Sequence, residues 1–268
     1  MNHPSFFRRL LCLVSVLCLL TGTGFAKTKA TPTPAPRETT TTVAQEVPET
    51  IQKLLDLAYS EWSELNGQKL KKSNKYTKWR NNYEWGWCAG FVTWLMLQLD
   101  VPMERMADMK EEPLEGVIHV KEASVGKVMR GYMKAGRSTD VPQKGFLIVY
   151  GSTKDPVSKT VHIGLVYDVQ ELGDGKYRIT TIEGNMSNTV RMYVHDYDRN
   201  ADKTKNLSAI PEEERTQSET AAFTYKLQSK NWYANVFLMP WIPEDYTVEA
   251  TATPAPTVNL LTPVTPAP

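Results

Sequence analysis

Helix-like and strand-like patterns of apolar residues occupy different parts of this chain. Between residues 51 and 65, apolar side chains recur every three or four positions, which predicts an amphipathic helix. The members of this pattern are Ile51, Leu54, Leu55, Ala58, Trp62 and Leu65. Further helices are predicted over residues 88–99 and 120–135, the last one stopped by Gly136. After Pro142, short runs rich in β-branched and aromatic residues predict strands over 146–150, 161–169, 176–183, 189–195 and 233–239. Helices first and strands afterwards indicate an α+β fold.

Both ends of the chain have a different composition. Residues 27–45 and 244–268 are rich in Thr and Pro and contain few large apolar side chains. Such segments cannot bury enough surface to offset the entropy of ordering the chain, so we expect disordered spacers there. This leaves one folded domain over residues 46–243. Within it, the charged segment 198–220 is predicted to be a solvated loop.

The first residues have the pattern of a secretory signal. Arg8 and Arg9 precede an apolar run over 10–20, and Gly24 and Ala26 supply small residues before a cleavage point. An uncleaved anchor is the alternative, but the run is short for a bilayer, which needs about 20 residues. We therefore expect residues 1–26 to be a signal peptide and the mature protein to be secreted, without stable insertion in a membrane.

The cysteine count draws attention to one residue of the folded domain. Of three cysteines, Cys12 and Cys18 lie in the expected signal peptide, which leaves Cys88 alone in the exported chain. A lone exported thiol is an inert buried side chain, an intermolecular link or a reactive group.

The formal net charge of +1 argues against nucleic-acid binding through bulk electrostatics.

Cys88 lies where a helix is expected to begin, in the stretch WGWCAGFVTW. A thiol with a pKa of about 8.5 needs a lower pKa to act as a nucleophile near neutral pH. A helix N-terminus and a neighbouring histidine both favour the thiolate. The free N–H groups at such a helix end also suit an oxyanion. Cys88 is therefore a candidate nucleophile.

His162 is the best candidate base. It alternates with Val161 and Ile163 in a predicted strand, and Gly164 leaves room on its face. His119 and His195 are interpreted as ordinary surface residues. The alternative is that His162 is not a catalytic base but a structural residue whose hydrogen bonds are made by its strand neighbours.

The next predicted strand supplies a partner for the imidazole. A turn signal over residues 172–175 predicts a hairpin over 161–185, which places Asn185 opposite His162 and Glu183 on the diagonal. Both side chains share a face because they are two residues apart. Either could orient the imidazole, and a shift of loop register by one residue would change the choice.

Three motifs in order, Trp87–Trp94, Val161–Val166 and Thr181–Asn185, together with the stretch Lys75–Trp79, resemble the CHAP domain. That family comprises cysteine, histidine-dependent amidohydrolases and peptidases related to NlpC-type hydrolases. The resemblance implies a papain-like fold with N-terminal helices on an antiparallel sheet of about five to six strands. It also implies four catalytic roles. Cys88 would be the nucleophile, His162 the base, Glu183 the acidic residue that orients the imidazole, and Asn185 the accompanying amide.

Two features depart from the family pattern. The loop Pro142–Phe146 lacks the aspartate that members often have, which leaves its shape open. The segment 198–220 is longer than expected and is placed to act as a lid or substrate wall.

Two weaker signals concern binding. Asp196, Asp198, Asn200 and Asp202 alternate as in half of a calcium loop. Ala201 replaces the required glycine and Leu207 the closing glutamate, so we predict no metal and no other cofactor. Tyr83, Trp85 and Trp87 are expected to flank a substrate cleft, whereas Trp94 is expected to be buried.

The resemblance implies a monomeric, secreted or wall-associated amidase or endopeptidase that cuts the peptide stems of bacterial peptidoglycan. Two alternatives remain open on the residues alone. One is a non-catalytic wall-binding module on the same fold, and the other is a cysteine peptidase that acts on proteins.

Overall fold

The computed structural model describes residues 46–81, 86–105, 116–155, 160–215 and 223–244. The expected signal peptide, the linker 27–45 and the tail after Glu244 lie outside the described residues. Among the helices that are described, none combines the length and the apolar character that a membrane crossing requires.

The helices follow the predicted pattern with two differences. Helix α1 spans Glu49–Leu65, α2 Lys75–Lys78, α3 Cys88–Gln98 and α4 Val125–Lys134. The four-residue α2, capped by Asn74, was not predicted. Helix α4 begins later than predicted, because His119–Val120 forms a short strand, β2, parallel to β1, Met103–Glu104.

One antiparallel sheet of seven strands lies beside these helices, in the order β3-β9-β4-β5-β6-β7-β8. Its strands are β3 Ser138–Thr139, β4 Leu147–Ser152, β5 His162–Gly173, β6 Lys176–Glu183, β7 Arg191–Asp198, β8 Leu207–Ala209 and β9 Trp232–Leu238. The α+β prediction is confirmed. The expected five to six strands is an underestimate, because β3 and β8 are too short to leave a periodic pattern.

Strand β8 also corrects the interpretation of segment 198–220. Leu207 and Ile210 are buried, and the Asn206 side chain bonds both backbone groups of Ala234 on β9, at 2.9 and 3.0 Å. This part of the segment therefore packs against the sheet and is not a solvated loop. An amide can replace a strand neighbour in this way because it carries both a donor and an acceptor.

The hairpin β5–β6 brings the candidate site together. Leu165 lies opposite Ile182 and Val166 opposite Thr181, which is the predicted register near the site. Two irregularities nearer the turn, after Val166 and after Glu171, shift the pairing there. A shift confined to the distal half leaves His162 and Glu183 in reach of each other.

Candidate active site

Cys88 is the first residue of α3 and is 8% exposed. The residue before it, Trp87, makes no side-chain cap, and the first intrahelical bond runs from Phe91 N–H to the Trp87 carbonyl. The N–H groups of residues 88–90 therefore have no acceptor within the helix. Their dipoles point towards the thiol and favour negative charge there.

The surroundings of Cys88 stabilise its thiolate. Burial raises the pKa of the thiol, but the charge of His162 and its hydrogen bond oppose this, as do the N–H groups of Ala89 and Ile163. Together they hold the pKa of Cys88 below its ordinary value. Cys88 and His162 are therefore close enough to interact, which the interpretation of Cys88 as a nucleophile requires.

His162 is the first residue of β5 and is 4% exposed. Burial lowers the pKa of its imidazole, while the Cys88 thiolate and the Glu183 carboxylate raise it and prevail. Its Nε2 lies 3.0 Å from Glu183 Oε2. The contact is an ion pair whose angle is unfavourable for a linear hydrogen bond. Because Nε2 faces Glu183, Nδ1 is the ring nitrogen left for the thiol.

Glu183 ends β6 and is fully buried. Its Oε1 accepts hydrogen bonds from Tyr150 Oη at 2.6 Å, from Thr181 Oγ1 at 2.6 Å and from Gln228 Nε2 at 2.5 Å. Burial raises the pKa of this carboxyl, but His162 and the hydroxyl groups of Thr181 and Tyr150 lower it below its ordinary value. The carboxylate is therefore charged and held in one orientation.

Gly164 explains how the carboxylate fits beside the strand. A Cβ on this residue would lie 2.7 Å from Glu183 Cγ. The space that the sequence suggested for the imidazole is thus occupied by the Glu183 side chain.

Asn185 takes a different place. It has a left-handed backbone with φ of 64°, which asparagine tolerates better than most residues. Its Nδ2 lies against Gly86, directly before α3. Among the described residues, no hydrogen bond joins Asn185 to His162. Asn185 therefore lies beside Gly86, two residues before Cys88, while Glu183 contacts the imidazole.

The predicted aromatic cleft needs correction. Tyr83 and Trp85 lie outside the described residues. Trp87 is only 1% exposed and stacks on Tyr76, with ring centroids 5.0 Å apart, so its ring packs in the core and does not flank a cleft. The expectation failed because neighbouring aromatics can equally serve the packing of a helix start. Trp94 is half-buried and contacts the edge of Tyr76.

Three residues of the site were not anticipated: Tyr150, Gln228 and Trp232. The half-buried Trp232 of β9 stacks on His162, with centroids 5.2 Å apart and planes 27° apart. Tyr150 lies opposite His162 in the strand pairing, so the sheet order would have revealed it. Gln228 lies in an irregular segment, which carries no periodic signal.

His119 and His195 were expected at the surface and are instead fully buried. Burial lowers the pKa of His119 to about 3 and that of His195 to about 4. The prediction was wrong because a single polar residue at the end of an apolar run does not reveal which face it occupies. Both imidazoles are neutral at physiological pH.

The acidic stretch after β7 is engaged in local contacts. Asp196 forms a two-bond contact with Arg178, at 2.8 and 3.1 Å, and Asp202 accepts a hydrogen bond from Thr204 N–H. Within the described part of the chain, no group of three or more His, Cys, Asp or Glu residues is arranged to hold a metal ion.

The family model of the CHAP domain matches residues 78–185, a segment that contains Cys88, His162, Glu183 and Asn185. The resemblance noted from the motifs is thereby confirmed for this segment. No curated protein and no solved structure matches the chain. A CHAP domain implies hydrolase activity of the amidase or peptidase type, often on peptidoglycan.

Proposed function

We propose that this chain, which carries a CHAP domain over residues 78–185, is an exported cysteine amidase or endopeptidase. Its substrates would be amide bonds in the peptide stems of bacterial peptidoglycan, and it would act as a monomer in or near the cell wall. The observation that carries the proposal is the buried series formed by Cys88 at the start of α3, His162 at the start of β5 and Glu183 at the end of β6. Each member shifts the pKa of its neighbour towards a thiolate–imidazolium pair.

The proposed reaction needs no cofactor. The thiolate of Cys88 attacks the amide carbonyl carbon, and the negative charge moves to the carbonyl oxygen. The N–H groups at the start of α3, which have no acceptor within the helix, would stabilise that oxygen. As the C–N bond breaks, His162 donates its proton to the leaving amine. Water then attacks the acyl-enzyme with His162 as base, which releases the acid and the free thiol.

Glu183 and Asn185 have separate roles in this scheme. Glu183 stabilises the imidazolium and fixes the ring, because its Oε2 faces Nε2. Asn185 lies beside Gly86, two residues before Cys88, and from there would contact the substrate or the oxyanion. Neither role requires the aspartate that the loop Pro142–Phe146 lacks.

The substrate is tested by digestion of purified walls. The mature protein should release soluble peptide fragments, and mass spectrometry of their new amino and carboxyl ends identifies the bond. The Cys88→Ala variant should release no fragments, but it should still sediment with the walls as the parent protein does. Release by both proteins, or by neither, would contradict the proposal.

The wall digestion, together with a digestion of an unfolded protein, separates the two alternative functions. A non-catalytic module would bind walls with and without Cys88 and release nothing. A peptidase acting on proteins would degrade an unfolded protein substrate in a Cys88-dependent manner and leave the walls intact.

A further inference from the structure

We infer that Gln228 is a positioning residue of this site, and that it keeps Glu183 aligned on His162. Gln228 lies outside the segment that the family model matches, which ends at residue 185. It belongs to an irregular segment, residues 223–231, which we call the strap. The inference rests on the proposed chemistry of Cys88 and His162, but not on the identity of the substrate.

The strap is attached to the sheet at both ends. Near its start, Thr224 N–H donates to the Met192 carbonyl and the Thr224 carbonyl accepts from Val194 N–H, each at 3.0 Å. At its end, the Asn231 carbonyl accepts from Thr153 N–H at 2.9 Å. These bonds fix the path of the chain between β7 and β4. Gln228 therefore reaches the site from a backbone that is itself held in place.

The amide of Gln228 contacts two members of the site at once. Its Nε2 lies 2.5 Å from Glu183 Oε1 and 2.9 Å from Tyr150 Oη. The Tyr150 hydroxyl donates its only proton to Glu183, so its oxygen is free to accept from the amide. An amide group has two N–H bonds, one for each of these acceptors. The opposite orientation would place an amide oxygen against a carboxylate, which is repulsive.

This arrangement leaves one carboxylate oxygen for the imidazole. Tyr150, Thr181 and Gln228 all donate to Oε1, while Oε2 faces His162 Nε2. Three neutral donors on one oxygen hold the carboxylate in a single rotation and stabilise its charge without competing for the imidazolium. Without Gln228, the carboxylate has fewer donors and more freedom, so the imidazolium and the Cys88 thiolate are less stable.

The test measures the thiolate directly. The rate of Cys88 alkylation by iodoacetamide is followed from pH 5 to pH 9 in the full mature chain and in Gln228→Met, which keeps the length of the side chain but removes both donors. We expect the midpoint of the profile to move up by about one unit, so that the rate at pH values below the parent's midpoint falls by up to about tenfold. Lys226→Met is the matched control, because Lys226 is exposed on the same strap. Its profile should overlay that of the parent protein.

Tyr150→Phe provides a second variant that keeps the ring. It should shift the profile in the same direction, and the double variant should shift it by less than the sum, because the two donors share one acceptor and bond each other. An unchanged midpoint in Gln228→Met, even with a lower melting temperature, would reduce Gln228 to a structural role and overturn the inference. So would a parent thiol no faster than free cysteine at pH 6. Alkylation needs no peptidoglycan, so failure of wall digestion alone would overturn only the proposed substrate.

Discussion

His162 and His119 are both buried imidazoles, yet their surroundings push them to opposite charge states. His162 lies between a thiol and a carboxylate, and these partners raise its pKa despite burial. His119 lies between two hydroxyl groups, Thr93 Oγ1 and Tyr132 Oη, each 3.0 Å from a ring nitrogen, and burial lowers its pKa to about 3. Neutral hydrogen-bonding partners do not offset the desolvation of a cation, whereas charged ones do. A buried histidine is thus catalytic or structural according to the charge of its neighbours.

The hydroxyl groups around His119 also restrict its tautomer. Thr93 Oγ1 lies within reach of the Glu122 carbonyl and Tyr132 Oη of the Ile118 carbonyl, at 2.9 and 3.0 Å. A neutral imidazole has one N–H, so only one hydroxyl can accept from the ring. The other must donate its own proton to the second ring nitrogen. The backbone carbonyl beside that hydroxyl then lacks its hydroxyl donor.

The largest expected effect comes from replacing the two histidines in turn. His162→Gln should lower kcat/KM on a stem peptide by about 10³ to 10⁴, because the base and the charge partner of the thiolate are both lost. His119→Gln should leave kcat/KM within a few-fold, since His119 contacts none of the proposed catalytic groups. Comparable losses in both variants would remove the distinction between charged and neutral surroundings.

The second prediction separates Glu183 from Asn185. Glu183→Gln keeps the shape but removes the charge beside Nε2, so single-turnover acylation should slow by about 10² to 10⁴ with little change in substrate affinity. Asn185→Ala should have a smaller effect, because Asn185 lies beside Gly86 and not on the ring. A larger loss for Asn185→Ala would transfer the orienting role to the amide.

The third prediction concerns stability and pH at the two neutral histidines. His119→Phe should lower the free energy of unfolding by about 2 kcal/mol at pH 7, because two buried hydroxyls lose their hydrogen bonds to the imidazole and keep only their carbonyl partners. His195→Phe should change it by less, since neither ring nitrogen of His195 has a hydrogen-bond partner among the described residues. Urea titrations measure both.

The pH dependence of the free energy of unfolding tests whether His195 is kept neutral by burial. The pKa of His195 is about 4 in the folded protein and about 6.5 when unfolded. Below pH 6.5 the unfolded state therefore binds a proton that the folded state does not, and stability falls until about pH 4. His195→Phe should remove that contribution, up to about 1.4 kcal/mol per pH unit, and so flatten the profile. An unaltered slope would show that His195 is not kept neutral by burial.

The smallest effect is expected at Trp232. Trp232 stacks on His162, where it should shield the ion pair from water, and an aromatic contact of this kind contributes about 1 kcal/mol. Trp232→Ala should therefore lower kcat/KM by about five- to tenfold and increase the sensitivity of the rate to salt. Trp232→Phe should recover most of the loss. A Phe variant as slow as the Ala variant would point to a role other than stacking.

Local patterns were sufficient for the main elements and for three of the contacting site residues. The apolar spacing predicted α1 and α3, and the alternation around His162 predicted β5 with the register that brings Glu183 to it. These features depend on periodicity and on turns of a few residues, which are encoded within the element itself. The same patterns failed for β8 and for the starts of short elements, where a strand of three residues has no period to detect.

The charge states of the buried histidines and the set of donors around the Glu183 carboxylate depended on the tertiary structure. The sequence placed Cys88 at a helix start and His162 on a strand. The family resemblance favoured Glu183 as the orienting residue, but the hairpin register alone left Asn185 as an alternative. Only the packing of β4, β5 and β6 with the strap put Tyr150, Thr181 and Gln228 on one carboxylate oxygen and turned the other towards His162. Likewise, only burial distinguished His119 and His195 from surface residues. Desolvation and charge pairing act through space between residues far apart in the chain, so no local pattern determines them.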